Sequence, residues 1–450
     1  MVSNKRIGKT CLVVIASLVV IIPSFPIGIE TERSSIHLAE RGTGFIGHDK
    51  LVRELHAIGE SSGRVNLEVI GKSVEERDIY LAIIAEPAVV SVEDVGERCV
   101  TLLMARQHGN EPAVTDASLD IIRYLANGED AARLLENQVV LVIPMINPDG
   151  SERNTRKNAD GVDINRDHMA LATPEARAVQ EVVLEWEPHV VIDHHEYGGI
   201  GIPIQPIRIY DWDITTMYPS NGNVESTIRM ASEDLVYNWI WPAAKGAGYT
   251  IGDYGVITFA GIPLTQVAGG PDPAIARNQM GLHNCIAMLA ESNMFRLGAN
   301  RREIRVNSQE LIMNTTLNYV HENSRMIKNM VEFAKANAVI KGENREGLIY
   351  LDDGAVAPPW GYIVPSSGEK IIKSLGLHGI AMEELGQDVE IGNKNYPSGS
   401  YLVKMAQPKR GLIPLLLEES SSRNQLDGES AVRVENSLEI SLLMARDEKR

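Results

Sequence analysis

Val100-Thr-Leu-Leu-Met-Ala105 runs into Arg106-Gln-His-Gly-Asn-Glu111, and Pro112-Ala-Val114 follows. The first stretch is apolar apart from one threonine, as expected of a strand buried on both faces. From Glu111 to Asn127 the apolar residues Val114, Ala117, Ile121, Ile122 and Leu125 recur at helical spacing. Pro112 falls in the first turn, where its missing N–H costs nothing, and Gly128 suits the C-terminal stop. The segment therefore reads as strand, loop and helix. His108 and Glu111 stand in the loop, three residues apart, where both can point at one cation from the same side. Spacing alone is a weak signal. His37 and Glu40 repeat it with no strand before them and no strongly periodic helix after.

The same pattern extends outward. Leu51 to Ile58 reads as a helix, and Val65–Ile70 and Asp78–Ala85 read as strands around a turn at Gly71-Lys-Ser73. Val139-Val-Leu-Val-Ile143 is a second fully apolar strand, ending at Pro144 and the turn Asn147-Pro-Asp-Gly150. After a loop rich in Arg, Asn and Asp, Thr173 caps the next helix, with Pro174 at its first position. That helix leads to Val190-Val-Ile-Asp-His-His195, a strand with imidazoles at its end. Alternating apolar strands and helices predict an α/β fold: a mixed, largely parallel sheet covered by helices on both faces. Such sheets bind ligands beyond the carboxyl ends of their strands. His108, the 147–167 loop and His195 all occupy such positions. Two nitrogens, one carboxylate and an open fourth position make a catalytic zinc site.

The 450 residues suffice for one large α/β domain and an accessory region. The formal net charge of −17, with no basic cluster beyond the extreme N-terminus, argues against a nucleic-acid partner. Lys5, Arg6 and Lys9 precede an apolar run from Cys11 to Ile22, the layout of a secretory signal. No small-x-small cleavage site follows Pro23, so residues 1–29 read as a signal peptide or an uncleaved anchor, the one route to a membrane. Of the three cysteines, Cys99 and Cys285 lie beside apolar strand-like runs and read as buried thiols, with a disulfide as the alternative. Residues 30–340 read as the catalytic domain and 201–281 within it as loop-rich. Residues 303–338 read as one long helix or a helix pair. From about 341 to 420, Gly, Pro and short β-like runs suggest a small α+β or β-rich domain, and 421–450 a polar tail. Oligomeric state is not legible.

Seven short motifs in fixed order resemble the zinc carboxypeptidase family, the carboxypeptidase A-like metallopeptidases, over roughly residues 45–300. They are Gly71-Lys-Ser-Val-Glu-Glu-Arg77, His108-Gly-Asn-Glu111, Asn147-Pro-Asp-Gly150, Arg153-Asn-Thr-Arg-Lys157, Gly161-Val-Asp-Ile-Asn-Arg166, Asp193-His-His195 and Glu291 after an apolar strand. The resemblance implies one Zn2+ per chain on His108, Glu111 and His195, with His194 turned away by strand alternation. It implies that Asp163 hydrogen-bonds a ligand imidazole; the alternative is an ordinary turn residue. Glu291 would be the general base, taking a proton from the attacking water and passing it to the leaving amine; the alternative is a solvated edge glutamate. Arg156 would stabilise the oxyanion, Asn165 and Arg166 would grip the substrate's terminal carboxylate, and Arg153 would assist at an outer subsite. The implied substrates are the C-termini of peptides or proteins.

The resemblance departs in places. Glu76 stands where glycine is usual, Asp167-His168 where an aromatic residue is usual, and no motif chooses Tyr249 or Tyr254 as the substrate-capping tyrosine. The run Pro397-Ser-Gly-Ser-Tyr-Leu-Val-Lys-Met-Ala-Gln-Pro408 resembles an extension of some large bacterial members. Two other functions are weighed: a zinc amidase acting on cell-wall peptides or acyl-amino acids, and a non-catalytic binding protein on a peptidase scaffold.

Overall fold

Eight strands build the central sheet. They are β1 (Val65–Lys72), β2 (Asp78–Ile84), β3 (Cys99–Ala105), β4 (Gln138–Ile143), β5 (Val190–Tyr197), β6 (Ile214–Met217), β7 (Ile251–Asp253) and, after a separate hairpin of β8 (Gly255–Thr258) and β9 (Thr265–Ala268), β10 (Ile286–Asn293). The spatial order is β1-β2-β4-β3-β5-β10-β6-β7. β3 pairs parallel with β4 and β5, β5 with β10, and β6 with β7; β1–β2, β2–β4 and β10–β6 are antiparallel. The computed structural model describes residues 44–197, 212–258, 265–294, 302–391, 394–426 and 431–435. The expected signal or anchor and the His37/Glu40 pair lie outside them. Among the described residues no helix is long and apolar enough to cross a membrane.

Every residue of β3, β4, β5 and β10 is buried, which is why these strands read as apolar runs rather than alternating ones. Side chains alternate between two cores. Leu103, Val142 and Ile192 face the helices His48–Ser61, Ala113–Asn127 and Arg302–Asn344. Leu102, Met104, Leu141 and Val191 face Pro174–Trp186 and Ala276–Leu282. Each such leucine contributes roughly 1.5–3 kcal/mol by leaving water. Cys99 belongs to the first core and Cys285 to the second, and both thiols are free. Burial pushes each up to about 12.

The chain steps from β3 to β4 in one direction, then crosses to β5 on the other side of β3. The carboxyl end of β3 is thus the switch point where open α/β sheets bind ligands. The register β5–β10 sets His195 directly beside Glu291, although 96 positions separate them in the sequence.

Two elements differ from the sequence reading. Within the stretch read as loop-rich, Ser226–Asp234, a π-helical turn Leu235–Ile240 and Trp241–Gly246 are helical. Leu235, Val236 and Ile240 pack into the first core, while the glycines and prolines collect at the ends or, like Pro242, in a first turn. Residues 302–344 form one helix, the first of the two alternatives read from the sequence. Beyond it, Glu383–Glu384, Tyr401–Lys404, Gly361–Val364 and Val432–Val434 make a four-stranded antiparallel sheet, the last strand drawn from the stretch read as polar tail. His378 reaches from this region to the Met169 carbonyl (3.0 Å) and to Gln279 (3.1 Å).

Candidate active site

His108, Asn110 and Glu111 follow β3 in a loop held by its neighbours. Arg106, buried with φ +58°, donates to the carbonyls of Gly109 (3.1 Å) and Ile46 (3.0 Å). Asn147 donates to the Gln107 carbonyl (3.1 Å) and accepts from the Gly150 amide (2.8 Å). A Cβ on Gly109 would meet the Gly150 carbonyl carbon at 1.9 Å, so the two loops touch backbone to backbone. Gly109→Ala must part them. Displacing catalytic groups by about 1 Å can cost 10²-fold in rate, and a loss of that order in kcat/KM is expected, with helical content retained by circular dichroism.

The motif around Arg77 acts as a brace. Ser73 Oγ and the Glu75 amide donate to the buried Asp149 carboxylate (2.7 and 2.9 Å), and Arg77 pairs with it at 2.6 Å. Glu76 has φ +63°, the left-handed region that glycine favours, so the backbone keeps the turn despite the departure in residue type.

Three ligand atoms converge. Nδ1 of His108 lies 2.7 Å from Glu111 Oε1, Nδ1 of His195 lies 2.8 Å from Glu111 Oε2, and the two Nδ1 atoms are 3.1 Å apart. All three residues are buried, and they form the one possible metal-holding cluster among the described residues. The far nitrogens meet carboxylates: His108 Nε2 lies 3.2 Å from Asp163, and His195 Nε2 lies 2.9 Å from Asp193. Each carboxylate accepts an Nε2–H and leaves the Nδ1 lone pair facing the shared point. Burial opposes the charge on Asp163, but His108 and Arg156 outweigh it and hold its carboxyl below the usual range. For Glu111, too, burial is outweighed, by the two histidines, and its pKa is lowered.

Glu291 is 7% exposed and lines the same cavity, of about 320 Å³. Burial pushes its pKa up to about 7 against the pull of the nearby histidines and Arg156. Arg156 donates through Nε to Asp163 (2.9 Å), and its Nη1 lies 3.3 Å from His108 Nδ1. Arg166 is exposed and lines the cavity with Arg156. Asn165 also lines it, but its amide is engaged: Oδ1 accepts from the Ala276 amide (2.8 Å), and Nδ2 lies 3.0 Å from His195 Nε2. Arg153 stands apart from the cavity lining and pairs with Glu75. Of the two tyrosines, Tyr254 lines the cavity, where the Glu291 charge and then burial push it up to about 12, whereas Tyr249 packs against the first core. His194 turns to the other face and meets Gln309 Oε1 at 2.7 Å. His168 is buried against Gln107 (2.7 Å) and forms no wall of the cavity.

Several supports escaped the sequence reading. Glu196 accepts from the Ala113 amide (2.8 Å) at the start of the helix after Glu111, pairs with Arg305, and donates its own amide to Glu111 Oε2 (3.2 Å). Gln309 donates to the His195 carbonyl (2.8 Å). Gln107 donates to Asp193 (2.6 Å). Gln107 and Glu196 adjoin ligand positions in the sequence, the one signal available. Arg305 and Gln309 come from the long helix with none.

The zinc carboxypeptidase profile matches residues 51–239, the span that supplies His108, Glu111 and His195. Residues 51–239 carry a zinc carboxypeptidase domain, and the chain is a metallopeptidase. Carboxypeptidase 2 of Trichophyton tonsurans is 27% identical over 378 residues, covering 69% of this chain and 70% of the relative. Human carboxypeptidase D is 30% identical over 135 residues, 27% of this chain and 10% of that protein. Among solved structures, a metallo-carboxypeptidase from Burkholderia cenocepacia has a TM-score of 0.46 at 18% identity, covering 62% of this chain and 70% of that one.

Proposed function

We propose that this metallocarboxypeptidase holds one zinc ion on His108, Glu111 and His195 and hydrolyses the last peptide bond of peptides or proteins, with Glu291 as general base. The observation that carries the reading is the meeting of two Nδ1 atoms and one carboxylate in a buried cluster with Glu291 at the adjacent position of the neighbouring strand. The donor set fits zinc. Two nitrogens each about 2.0–2.1 Å from a tetrahedral ion stand roughly 3.3 Å apart, and here they stand 3.1 Å apart. When bound, zinc supplies Lewis acidity that polarises the scissile carbonyl and lowers the pKa of water to about 7.

The chain's own residues do the rest. Glu291 takes the proton of the attacking water and returns it to the leaving amine. Arg156 presents its guanidinium where the carbonyl oxygen becomes an oxyanion. Asp163 and Asp193 fix the two imidazoles in the tautomer that binds metal. Arg166, exposed at the cavity, takes the substrate's α-carboxylate in a bidentate grip. Asn165 contributes by donating to the Asp193 carboxylate that orients His195 and by accepting from the Ala276 backbone. The basic then apolar N-terminus supports export from the cytoplasm.

The test pairs a free-acid peptide with its C-terminal amide, before and after chelation. Trimming of the acid alone, abolished by chelator and restored by zinc, is expected. Equal cleavage of the amide, or turnover that survives chelation, contradicts the reading.

A further inference from the structure

Arg277 is 1% exposed, on the helix Ala276–Leu282, and its side chain reaches the cavity that holds Glu291. A guanidinium stays protonated in proteins, and a buried charge is strongly disfavoured unless a partner meets it. Yet no carboxylate among the described residues pairs with it. Its one hydrogen bond runs from Nη2 to the Gly270 carbonyl at 2.8 Å, and its Nε has no partner. The acids that line the cavity are engaged elsewhere: Glu111 by the two histidines, Glu196 by Arg305, and Glu291 at the reacting centre.

The surroundings are shaped around this guanidinium. A Cβ on Gly269 would lie 2.8 Å from Arg277 Nη2 and 2.7 Å from the Tyr254 ring, so any larger residue would displace one of them. The Tyr254 ring centroid is 6.0 Å from Arg277 Cζ. Ile275 and Leu289 give the same cavity apolar wall. Methylene-sized apolar surface ending at an unpaired cation matches a short side chain ending in a carboxylate.

We propose that Arg277 sets the specificity of the site, its guanidinium receiving the side-chain carboxylate of a C-terminal glutamate or aspartate. The inference rests on the carboxypeptidase reading and deepens it. Arg166, exposed, and Arg277, buried, divide the two carboxylates of an acidic terminal residue between them. A glutamine or phenylalanine in the same place leaves the buried cation unmatched, and a lysine adds a like charge to it.

The test uses the zinc-loaded full chain and peptides that differ only in a last residue of Glu, Asp, Gln, Phe or Lys. A site built around a buried polar partner rejects analogues that lack it by large factors. The acid-ended peptides are expected to exceed the others by about 10²-fold or more in kcat/KM. Arg277→Gln is expected to erase that preference, the acid-ended peptides falling by about 10²-fold relative to the Gln-ended one, and Arg277→Lys to keep part of it. A wild-type preference for Phe or Lys overturns the assignment. So does an equal loss on all peptides in Arg277→Gln, which would mean that Arg277 grips the α-carboxylate or only supports the fold. Calorimetry of L-glutamate against L-glutamine on the wild-type protein separates the two layers. Tighter glutamate binding without any trimming supports the acidic pocket and sinks the peptidase reading. Glutamate binding no tighter than glutamine sinks the pocket even where trimming is robust.

Discussion

Glu291→Gln is expected to lower kcat/KM for C-terminal trimming by about 10³-fold or more, at the upper part of the range for general acid–base catalysis, while bound zinc stays at one per chain. The amide matches the carboxylate in size and can still accept and donate hydrogen bonds, so the cavity keeps its shape. It cannot take a proton from water. The three proposed metal ligands are supplied by other elements: His108 and Glu111 follow β3, and His195 lies near the carboxyl end of β5. Their mutual contacts at 2.7–3.1 Å do not pass through Glu291. Activity and metal content should therefore separate. A variant that trims at the wild-type rate would move the base elsewhere, and one that loses its metal would make Glu291 a ligand.

In the metal-stripped protein the same substitution is expected to raise stability, with a defined pH dependence. The Glu291 carboxyl is pushed from 4.5 to about 7, chiefly by burial. A raised folded-state pKa means that the native state binds the proton more tightly than the unfolded chain. The favourable contribution is complete below pH 4.5 and fades as pH rises to about 7, above which a buried carboxylate must be tolerated. Each pKa unit is worth about 1.4 kcal/mol, so the full penalty is about 3 kcal/mol. Glutamine carries no such term. Chemical denaturation of the two apo proteins should give curves that agree near pH 4 and diverge to about 3 kcal/mol in favour of Glu291→Gln above pH 7. A difference that does not change with pH would mean that the side chain is solvated in the apo state.

The parts of this site that the sequence reveals are those encoded locally. β3, β4, β5 and β10 announce themselves because burial on both faces demands unbroken apolar runs. His108 and Glu111 are legible because one loop carries both, and His195 because it stands two residues after Asp193 on one strand face. What the sequence hides is carried by long-range packing. Arg305 and Gln309 brace Glu196 and His195 from a helix more than 100 positions away, and nothing in their own neighbourhood marks them. Arg277 sits in a short helix without a motif, and only the folded cavity shows that its charge is unmatched. The helical stretch from Ser226 to Gly246 was obscured by Gly222, Pro242 and Gly248, residues that punctuate loops in general but here lie at segment ends. Asn165 illustrates a further limit. The motif gives its position, whereas its bonds to Asp193 and Ala276 follow from the approach of two distant segments.

The most direct test of the account is anomalous scattering at the zinc edge from crystals of the zinc-loaded protein. One peak per chain is predicted, bonded to Nδ1 of His108, Nδ1 of His195 and the Glu111 carboxylate, with the Glu291 carboxylate adjacent but not bonded. A peak at other side chains, or none in protein that still trims peptides, would contradict it.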